Sequence, residues 1–324
     1  MNRWLKYGLI WNISLLILSM LWQLASIENQ IDNALHGAYA PFSIGDRIHI
    51  FGTDYFGYDL LNHFISGFSL SVFNALVILV FSSIIALLLG VLAGYFANDG
   101  IRLRILSLFM LILLLVDIAY LFFIVPSPDI LILFLPFIIV LTFISLDYRL
   151  WRTKYVFIPF DRIISSLYEI MGSLPKFILL ICLVLFLEPN WLGYACILSV
   201  LTWVQKSRII RAEVIKVKTA YYIDAAKALG IKDLWIIIRH ILNNIQETIL
   251  VTRIYAFGNL FLLDASLNFI GISGVGSNVS WGNILAQYRY DLSAWWLLLF
   301  PSIGLTLFLI PLFSLAKYLE NKTN

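Results

Sequence analysis

Long apolar runs are the feature that most restricts how this chain can fold. A helix needs roughly 18–20 apolar residues to cross about 30 Å of hydrocarbon, and lipid gives a spanning backbone no partner outside itself. The runs therefore predict membrane-spanning helices. Eight spans are predicted, at residues 7–25, 70–97, 103–125, 130–147, 163–187, 192–210, 248–271 and 295–316.

Charged residues make up only 13% of the 324 residues, whereas a soluble domain has about 25%. So little charge cannot cover the surface of a water-soluble enzyme or keep a chain disordered, and both classes are excluded. We expect residues 1–26 to form a retained anchor, because the apolar run is longer than that of a signal peptide and no small-residue cleavage site follows. The predicted division is an anchor with an extracytoplasmic segment, residues 1–69, followed by a transmembrane domain, residues 70–318.

The basic residues fall on one side of the eight predicted spans. The positive-inside rule assigns that side to the cytoplasm, so both chain ends are predicted to be cytoplasmic. The opposite loops hold only Arg47 and Arg289. The cytoplasmic groups are Arg3 and Lys6; Arg102 and Arg104; Arg149, Arg152, Lys154 and Arg162; Lys206, Arg208, Arg211, Lys216, Lys218, Lys227, Lys232 and Arg239; and Lys317 and Lys322.

The cytoplasmic stretch 205–247 carries a short amphipathic helix, predicted at residues 220–230. Tyr222, Ala225, Ala226 and Leu229 recur at helical spacing and form one face with a small, smooth centre. Gly230 can end the helix in a left-handed conformation. Such a face allows a partner protein to approach closely. The alternative is a solvated helix that packs only on its own chain.

This stretch resembles the EAA motif of importer-type ABC permeases, which reads Glu-Ala-Ala, then Gly, then Ile-x-Leu-Pro. Here the motif reads Asp224-Ala225-Ala226, Gly230 and Ile241-Leu242-Asn243. Four further motifs follow the order of the oligopeptide/dipeptide/nickel permease family, and the chain is most similar to its second permease subunit. They are Gly52-Thr53-Asp54 with Gly57 and Asp59; Asp161-Arg162 with Leu174-Pro175; Asp264 to Gly271; and Ser280-Trp281-Gly282.

The resemblance implies an all-α polytopic protein with the type I ABC importer transmembrane fold. Family members have six spans, so residues 101–157 are predicted to insert two more. The implied function is a permease subunit of an ATP-driven importer in the cell membrane, for short peptides or, as the alternative, nickel or other metal chelates. The implied ATPase-coupling helix carries Tyr222, Asp224, Ala225, Ala226, Leu229 and Gly230.

The partners implied by the resemblance are a homologous permease subunit, two ATPase subunits and an extracytoplasmic substrate-binding protein, within membrane lipid and without nucleic acid. ATP and Mg would bind to the ATPase subunits, and this chain itself would hold no cofactor and catalyse no reaction. No Walker phosphate loop or catalytic set occurs in the sequence. The motif positions without an assigned role are Gly52, Thr53, Asp54, Gly57, Asp59, Asp161, Pro175, Ser280, Trp281 and Gly282.

Two other interpretations remain open from the residues. His36, His49 and His63 lie near Asp54 and Asp59, and Asp59 and His63 have the spacing of a metal-binding pair on a helix. The competing interpretation is an ordinary polar loop. For the whole chain, the rival classes are a polytopic membrane enzyme and an autonomous channel or secondary transporter.

The charge asymmetry gives a test of topology. Single cysteines introduced by Ala40→Cys or Ser277→Cys should react with an impermeant thiol reagent added outside intact cells. Cysteines introduced by Gly100→Cys, Arg152→Cys or Ala228→Cys should react only after the membrane is opened. Outside labelling at position 152 would show that the two spans predicted between 101 and 157 are wrong.

Overall fold

The computed structural model describes residues 38–44, 48–97, 102–104, 155–157, 159–187, 190–272 and 279–323. These residues are mostly helical, as predicted. The predicted spans 7–25 and 130–147 lie outside them, as does 103–125 apart from Leu103 and Arg104. Two small antiparallel sheets were not predicted. They pair β1 (Ser43–Ile44) with β2 (Ile48–His49), and β3 (Arg102–Arg104) with β4 (Tyr155–Phe157).

Among the described residues, the first long helix is α1, Leu60–Val91, which continues as a π-helical turn, Leu92–Phe96. It begins at Leu60 rather than at residue 70 because Asp59 caps it: the Asn62 amide donates to the Asp59 carboxylate at 3.0 Å. Its first ten residues therefore belong to the segment predicted as an extracytoplasmic loop.

Helices α2 (Phe160–Ser173) and α3 (Lys176–Leu187) cover the predicted span 163–187. The span is not one continuous helix, because the chain bends by 85° between α2 and α3. Leu174 precedes Pro175 and is extended, with φ −92° and ψ 137°. A proline ring disfavours the helical conformation in the residue before it and cannot donate the next helical hydrogen bond.

Helix α4 (Trp191–Lys218) extends beyond its predicted end at residue 210. It leads through Thr219 and Ala220 into α5 (Tyr221–Ala228). The next helix, α6 (Asp233–Ile236), continues through a π-helical turn, Ile237–Ile241, into α7 (Leu242–Ile270). Helices α8 (Trp281–Gln287) and α9 (Trp295–Thr323) complete the order.

Within the described ranges, three helical stretches are long and apolar enough to cross a membrane, or four if the bent pair α2–α3 forms one span. The three stretches are Leu60–Phe96, Asp233–Ile270 and the helix α9. Helix α4 has the length of a span but is not among them, because its second half carries many charges. The predicted total of eight spans therefore stays a prediction.

Helices α1, α4 and α7 form the centre of the bundle, with two apolar clusters along it. One cluster contains an aromatic group from four elements: Phe68, Phe261, Trp281 and Phe308. The other contains Val214, Ile223, Ile236 and Ile241. The first cluster supports the loop Gly52–Asp59 and α8, and the second supports α5.

Glycine at position 282 is required by the contact of α8 with α7. A Cβ atom there would lie 2.2 Å from the Ala265 carbonyl oxygen. We therefore expect Gly282→Ala to lower the free energy of unfolding by about 1–3 kcal/mol, as other overpacked sites do. The measurement is the thermal unfolding midpoint of the purified protein in detergent.

Gly172→Ala in α2 is the matched control. Its Cβ would lie 3.7 Å from the nearest atom, in the Arg208 side chain, which is an ordinary contact. Because alanine is the better helix former, this variant should unfold at the same temperature or higher. Equal midpoints for Gly282→Ala and the parent would contradict the close contact of α7 and α8.

Candidate functional site

Helix α5 ends as the sequence predicted. Gly230 is left-handed, with φ +77°. Its amide donates to the Lys227 carbonyl at 2.9 Å, and the Ile231 amide donates to the Ala226 carbonyl at 3.2 Å. These two bonds form a Schellman motif, which satisfies the last carbonyls of a helix. The motif turns the chain sharply, so that α6 returns toward the bundle.

The two sides of α5 differ strongly in exposure. Ile223 is 0% exposed and Ala226 is 5% exposed, and both pack in the apolar cluster with Val214 and Ile241. Tyr221 is 94% exposed and Leu229 is 80% exposed. The outward side carries Tyr221, Tyr222, Asp224, Ala225 and Leu229, and we call it the α5 outer face.

The predicted partner-facing stripe of α5 is therefore wrong at one position. Tyr222, Ala225 and Leu229 face outward, but Ala226 faces the chain's own core. Ile223 explains the rotation: it is the most apolar residue near the middle of α5, and burying it also turns Ala226 inward, three residues later. The alternative interpretation, a helix that packs only on its own chain, is therefore correct for the buried side of α5 and not for its outer face.

Polar contacts tie α5 and α6 to the ends of the long helices. The Tyr95 hydroxyl, at the end of α1, donates to Asp233 Oδ1 in α6 at 2.5 Å. The ammonium groups of Lys218 and Lys227 lie 5.7 and 5.8 Å from the centre of the Tyr95 ring. Partial burial and then the charge of Lys227 lower the pKa of Lys218, whereas Asp233 opposes this change. Asn244 in α7 donates to the Tyr222 hydroxyl at 2.6 Å.

The motif residues Asp161 and Pro175 lie in α2 and next to it. Arg211 Nε of α4 donates to Asp161 Oδ1 at 2.5 Å, which fixes the start of α2 against α4. A second arginine, Arg208, donates to the Tyr168 carbonyl at 3.0 Å. Pro175 produces the bend after α2. Asp161 and Pro175 therefore both have a structural role, Asp161 through its bond to Arg211 and Pro175 through the bend.

The carboxylate of Asp54 organises the loop between β2 and α1. It is fully buried, and its Oδ1 accepts from the amides of Phe56 and Tyr58 at 2.9 and 2.8 Å. Gln287 at the end of α8 donates to Oδ2 at 3.2 Å and accepts from the Tyr55 amide at 3.0 Å. The loop is therefore fastened to α8 by one side chain that the sequence motifs did not mark.

The other motif residues complete this group, which we call the outer motif cluster. Thr53 Oγ1 accepts a hydrogen bond from the Tyr39 amide at 2.8 Å, and the Thr53 carbonyl accepts one from Trp296 Nε1 at 3.0 Å. Trp281 Nε1 donates to the Phe64 carbonyl at 2.7 Å. The glycines Gly52 and Gly57 have positive φ, and Ser280 caps α8. The members are Gly52, Thr53, Asp54, Gly57, Asp59, Ser280, Trp281, Gly282 and Gln287.

The metal-site alternative gains no support from these residues. His49 Nδ1 lies 2.8 Å from Asp59 Oδ1, and His63 Nδ1 lies 3.1 Å from Asp54 Oδ2. In the alternative based on helical spacing, Asp59 and His63 would bind a metal together, but here Asp59 caps α1 and contacts His49, while His63 lies beside Asp54. The described part of the chain brings no three His, Cys, Asp or Glu residues together as metal ligands, and His36 lies outside it.

The buried side of α5 gives a stability prediction. Ala226→Arg should lower the free energy of unfolding by more than about 1–3 kcal/mol, because it both overfills the apolar cluster and buries an unpaired charge. Ala225→Arg, one residue away on the α5 outer face, should leave the unfolding midpoint unchanged. Thermal unfolding of the two purified variants measures the difference. Equal midpoints would contradict the burial of Ala226.

Comparison with known proteins shows what this chain is similar to. Residues 154–324 match the family described as binding-protein-dependent transport system inner membrane component. A putative peptide transport system permease protein of Brucella suis is 26% identical over 260 residues, which cover 80% of this chain and 67% of that protein.

Two further relatives match over a shorter stretch. A dipeptide transport system permease protein of Alkalihalophilus pseudofirmus is 32% identical over 148 residues, covering 45% of this chain and 49% of that protein. An oligopeptide transport system permease protein of Salmonella typhimurium is 29% identical over 143 residues, covering 44% and 47%. The family match spans more than half of the chain and includes α5 with its Schellman turn. The chain therefore belongs to the family of inner membrane components of binding-protein-dependent transport systems and is an ABC importer permease subunit.

Proposed function

We propose that α5 couples ATP hydrolysis on partner ATPase subunits to the opening and closing of a peptide pathway in the membrane. The observation that carries this proposal is the division of α5 into a buried side and an outward side. Ile223 and Ala226 hold the helix in the chain's own core, while the α5 outer face is left for a partner. A helix exposed on both sides would move without moving the bundle.

The connections of α5 make it a suitable lever. Only Thr219 and Ala220 separate it from α4, and the Tyr95–Asp233 hydrogen bond joins α6 to the end of α1. Asn244 joins α7 to Tyr222 on α5 itself. A push on α5 therefore acts on the cytoplasmic ends of α1, α4 and α7, the three helices that form the centre of the bundle.

The chemistry of the surface around α5 is that of a protein contact. Exposed apolar side chains are grouped here in an otherwise polar segment: Tyr221 and Leu229 on α5, with Leu234 and Trp235 on α6. Tyrosine and tryptophan are frequent anchors of interfaces, and a group of exposed apolar side chains within a polar rim marks an interaction site. A second subunit that covers them would remove this apolar area from water.

The substrate class rests on relatives that are named as peptide, dipeptide and oligopeptide permeases. We therefore propose short peptides as the cargo, delivered by an extracytoplasmic binding protein and passed between this chain and a homologous permease subunit. In the proposed complex, two ATPase subunits hold ATP and Mg. We further propose that both chain ends lie in the cytoplasm, as the basic residues predict, and that the complex lies in the cell membrane.

Ala225→Arg tests the coupling role. This charge on the α5 outer face should reduce copurification of the ATPase subunits at least about tenfold, because an unpaired charge buried in a contact costs more than about 1.4 kcal/mol. Uptake of a labelled dipeptide by whole cells should fall with it. Permease abundance and its unfolding midpoint should not change.

Ala212→Arg is the matched control, since Ala212 is an exposed alanine on the cytoplasmic part of α4. It should retain both ATPase copurification and uptake. Full uptake by the Ala225→Arg variant would overturn the coupling role of α5. Uptake by the parent chain without any ATPase subunit would instead support an autonomous transporter.

A further inference from the structure

A small pocket between α1, α4 and α7 contains cations and hydroxyl groups. Lys206 of α4 and Arg253 of α7 line it together with Ser83 of α1 and Thr252 of α7. The outer motif cluster and α5 share no residue with this pocket. None of its residues belongs to the motifs that identify the family.

Lys206 is the unusual member, because it is only 4% exposed. Its ammonium donates to Ser82 Oγ at 2.5 Å, and Ser82 Oγ itself donates to the Ile78 carbonyl at 2.6 Å. An ammonium has three hydrogens to donate, so one serine oxygen does not satisfy it. In the part of the chain that the structure describes, no carboxylate lies within ion-pair distance of Lys206 or Arg253.

A second polar atom in the pocket also needs a partner. Ser83 Oγ is buried and forms no hydrogen bond. The groups that converge here are therefore an ammonium, a guanidinium on the rim and a free hydroxyl, all of which can donate. Buried donors of this kind are stabilised by an anion with several acceptor oxygens.

The level of the pocket in the bundle indicates where that anion comes from. Two residues beyond Arg253, the Tyr255 hydroxyl donates to Glu320 in the last turns of α9 at 3.1 Å. Arg208 and Arg211 follow Lys206 within about 8 Å along α4, at 1.5 Å a residue. The pocket therefore lies just inside the charged, cytoplasmic ends of the helices, at the depth of lipid headgroups.

The helices that form the pocket also carry exposed apolar side chains. Ile84 and Leu88 on α1, Ile209 on α4 and Leu250 on α7 are exposed, and each is next in sequence to a pocket residue. Such helix surfaces suit acyl chains better than they suit a hydrated anion. Basic pockets between membrane helices on the cytoplasmic side are a known type of site for anionic headgroups.

We propose that the phosphate of an anionic lipid of the inner leaflet binds at the mouth of this pocket, beside Arg253 at the rim, with one phosphate oxygen directed toward Lys206 and Ser83 inside. The proposal rests on the cytoplasmic orientation proposed above but not on the identity of the cargo. The bound phosphate would stabilise the charge of Lys206. It would also hold α1, α4 and α7 together at a level of the bundle further from its α5 end.

The experiment compares lipid retention by the assembled permease complex. The parent complex and its variants are reconstituted in vesicles of phosphatidylcholine and phosphatidylglycerol in equal amounts, extracted in mild detergent and weighed by native mass spectrometry. The parent should retain phosphatidylglycerol. Lys206→Met and Arg253→Gln should each reduce this retention about fivefold, the effect of about 1 kcal/mol for one basic residue near an anionic surface.

Lys216→Met is the matched control, because Lys216 is an exposed lysine further along α4. It should retain phosphatidylglycerol like the parent. Equal retention by all variants would overturn the proposal. Arg253→Gln keeps the test meaningful if Lys206→Met fails to fold, since Arg253 is exposed.

Two other occupants would give different results. If inorganic phosphate added to complexes in pure phosphatidylcholine raises the unfolding midpoint as much as phosphatidylglycerol does, the site takes free anions and the lipid proposal is wrong. If Lys206→Met loses the homologous permease subunit while lipid retention stays constant, a carboxylate of that subunit fills the pocket. That result would also overturn the proposal.

Discussion

The close approach of α1 to α4 is the contact on which the half of the bundle that carries α5 depends. A Cβ atom at Gly90 would lie 2.8 Å from the Ser207 carbonyl oxygen, and one at Gly94 would lie 2.8 Å from the Val214 side chain. Because the two backbones nearly touch, the end of α1 reaches the level where α4 turns into α5. Tyr95 is thereby placed within hydrogen-bonding distance of Asp233 and beside Lys218 and Lys227. The buried side of α5 has an apolar cluster to pack on only because these two helices meet.

The opposite end of the bundle is organised by a polar group instead. A carboxylate without water is stable only when its oxygens are satisfied, and Asp54 receives amides from its own loop and the side chain of Gln287 from α8. Many of the sequence motifs that resemble the permease family therefore build one compact outer cluster rather than a set of separate sites. The residues of this cluster depend on each other for their positions. The positive φ of Gly52 and Gly57 lets the loop close around Asp54, and Ser280 caps the helix that carries Gln287.

The sequence predicted the elements better than it predicted their faces. Hydrophobic runs located α1, α7 and α9, and helical spacing with Gly230 located α5 and its end. Helical spacing alone placed Ala226 with Ala225, because a stripe of small residues looks the same whether it faces a partner or the chain's own core. The neighbours that decide, such as Val214 and Ile241, are distant in sequence. The bend at Pro175 was readable from the proline, but the apolar composition on both sides favoured one continuous span. Gln287 carried no signal, since a single glutamine at a helix end is common.

The pairing of β3 with β4 has a consequence for how the chain tolerates change in length. Arg102 is opposite Phe157 and Arg104 is opposite Tyr155, and the Asp161 amide donates to the Ala97 carbonyl at 3.1 Å. The two ends of the segment between residues 104 and 155 are therefore neighbours. The entropy of closing a loop between fixed ends rises only slowly with its length. Because this ladder holds the two ends of the intervening segment together, a change in the length of that segment should cost the packing of α1 and α2 little free energy.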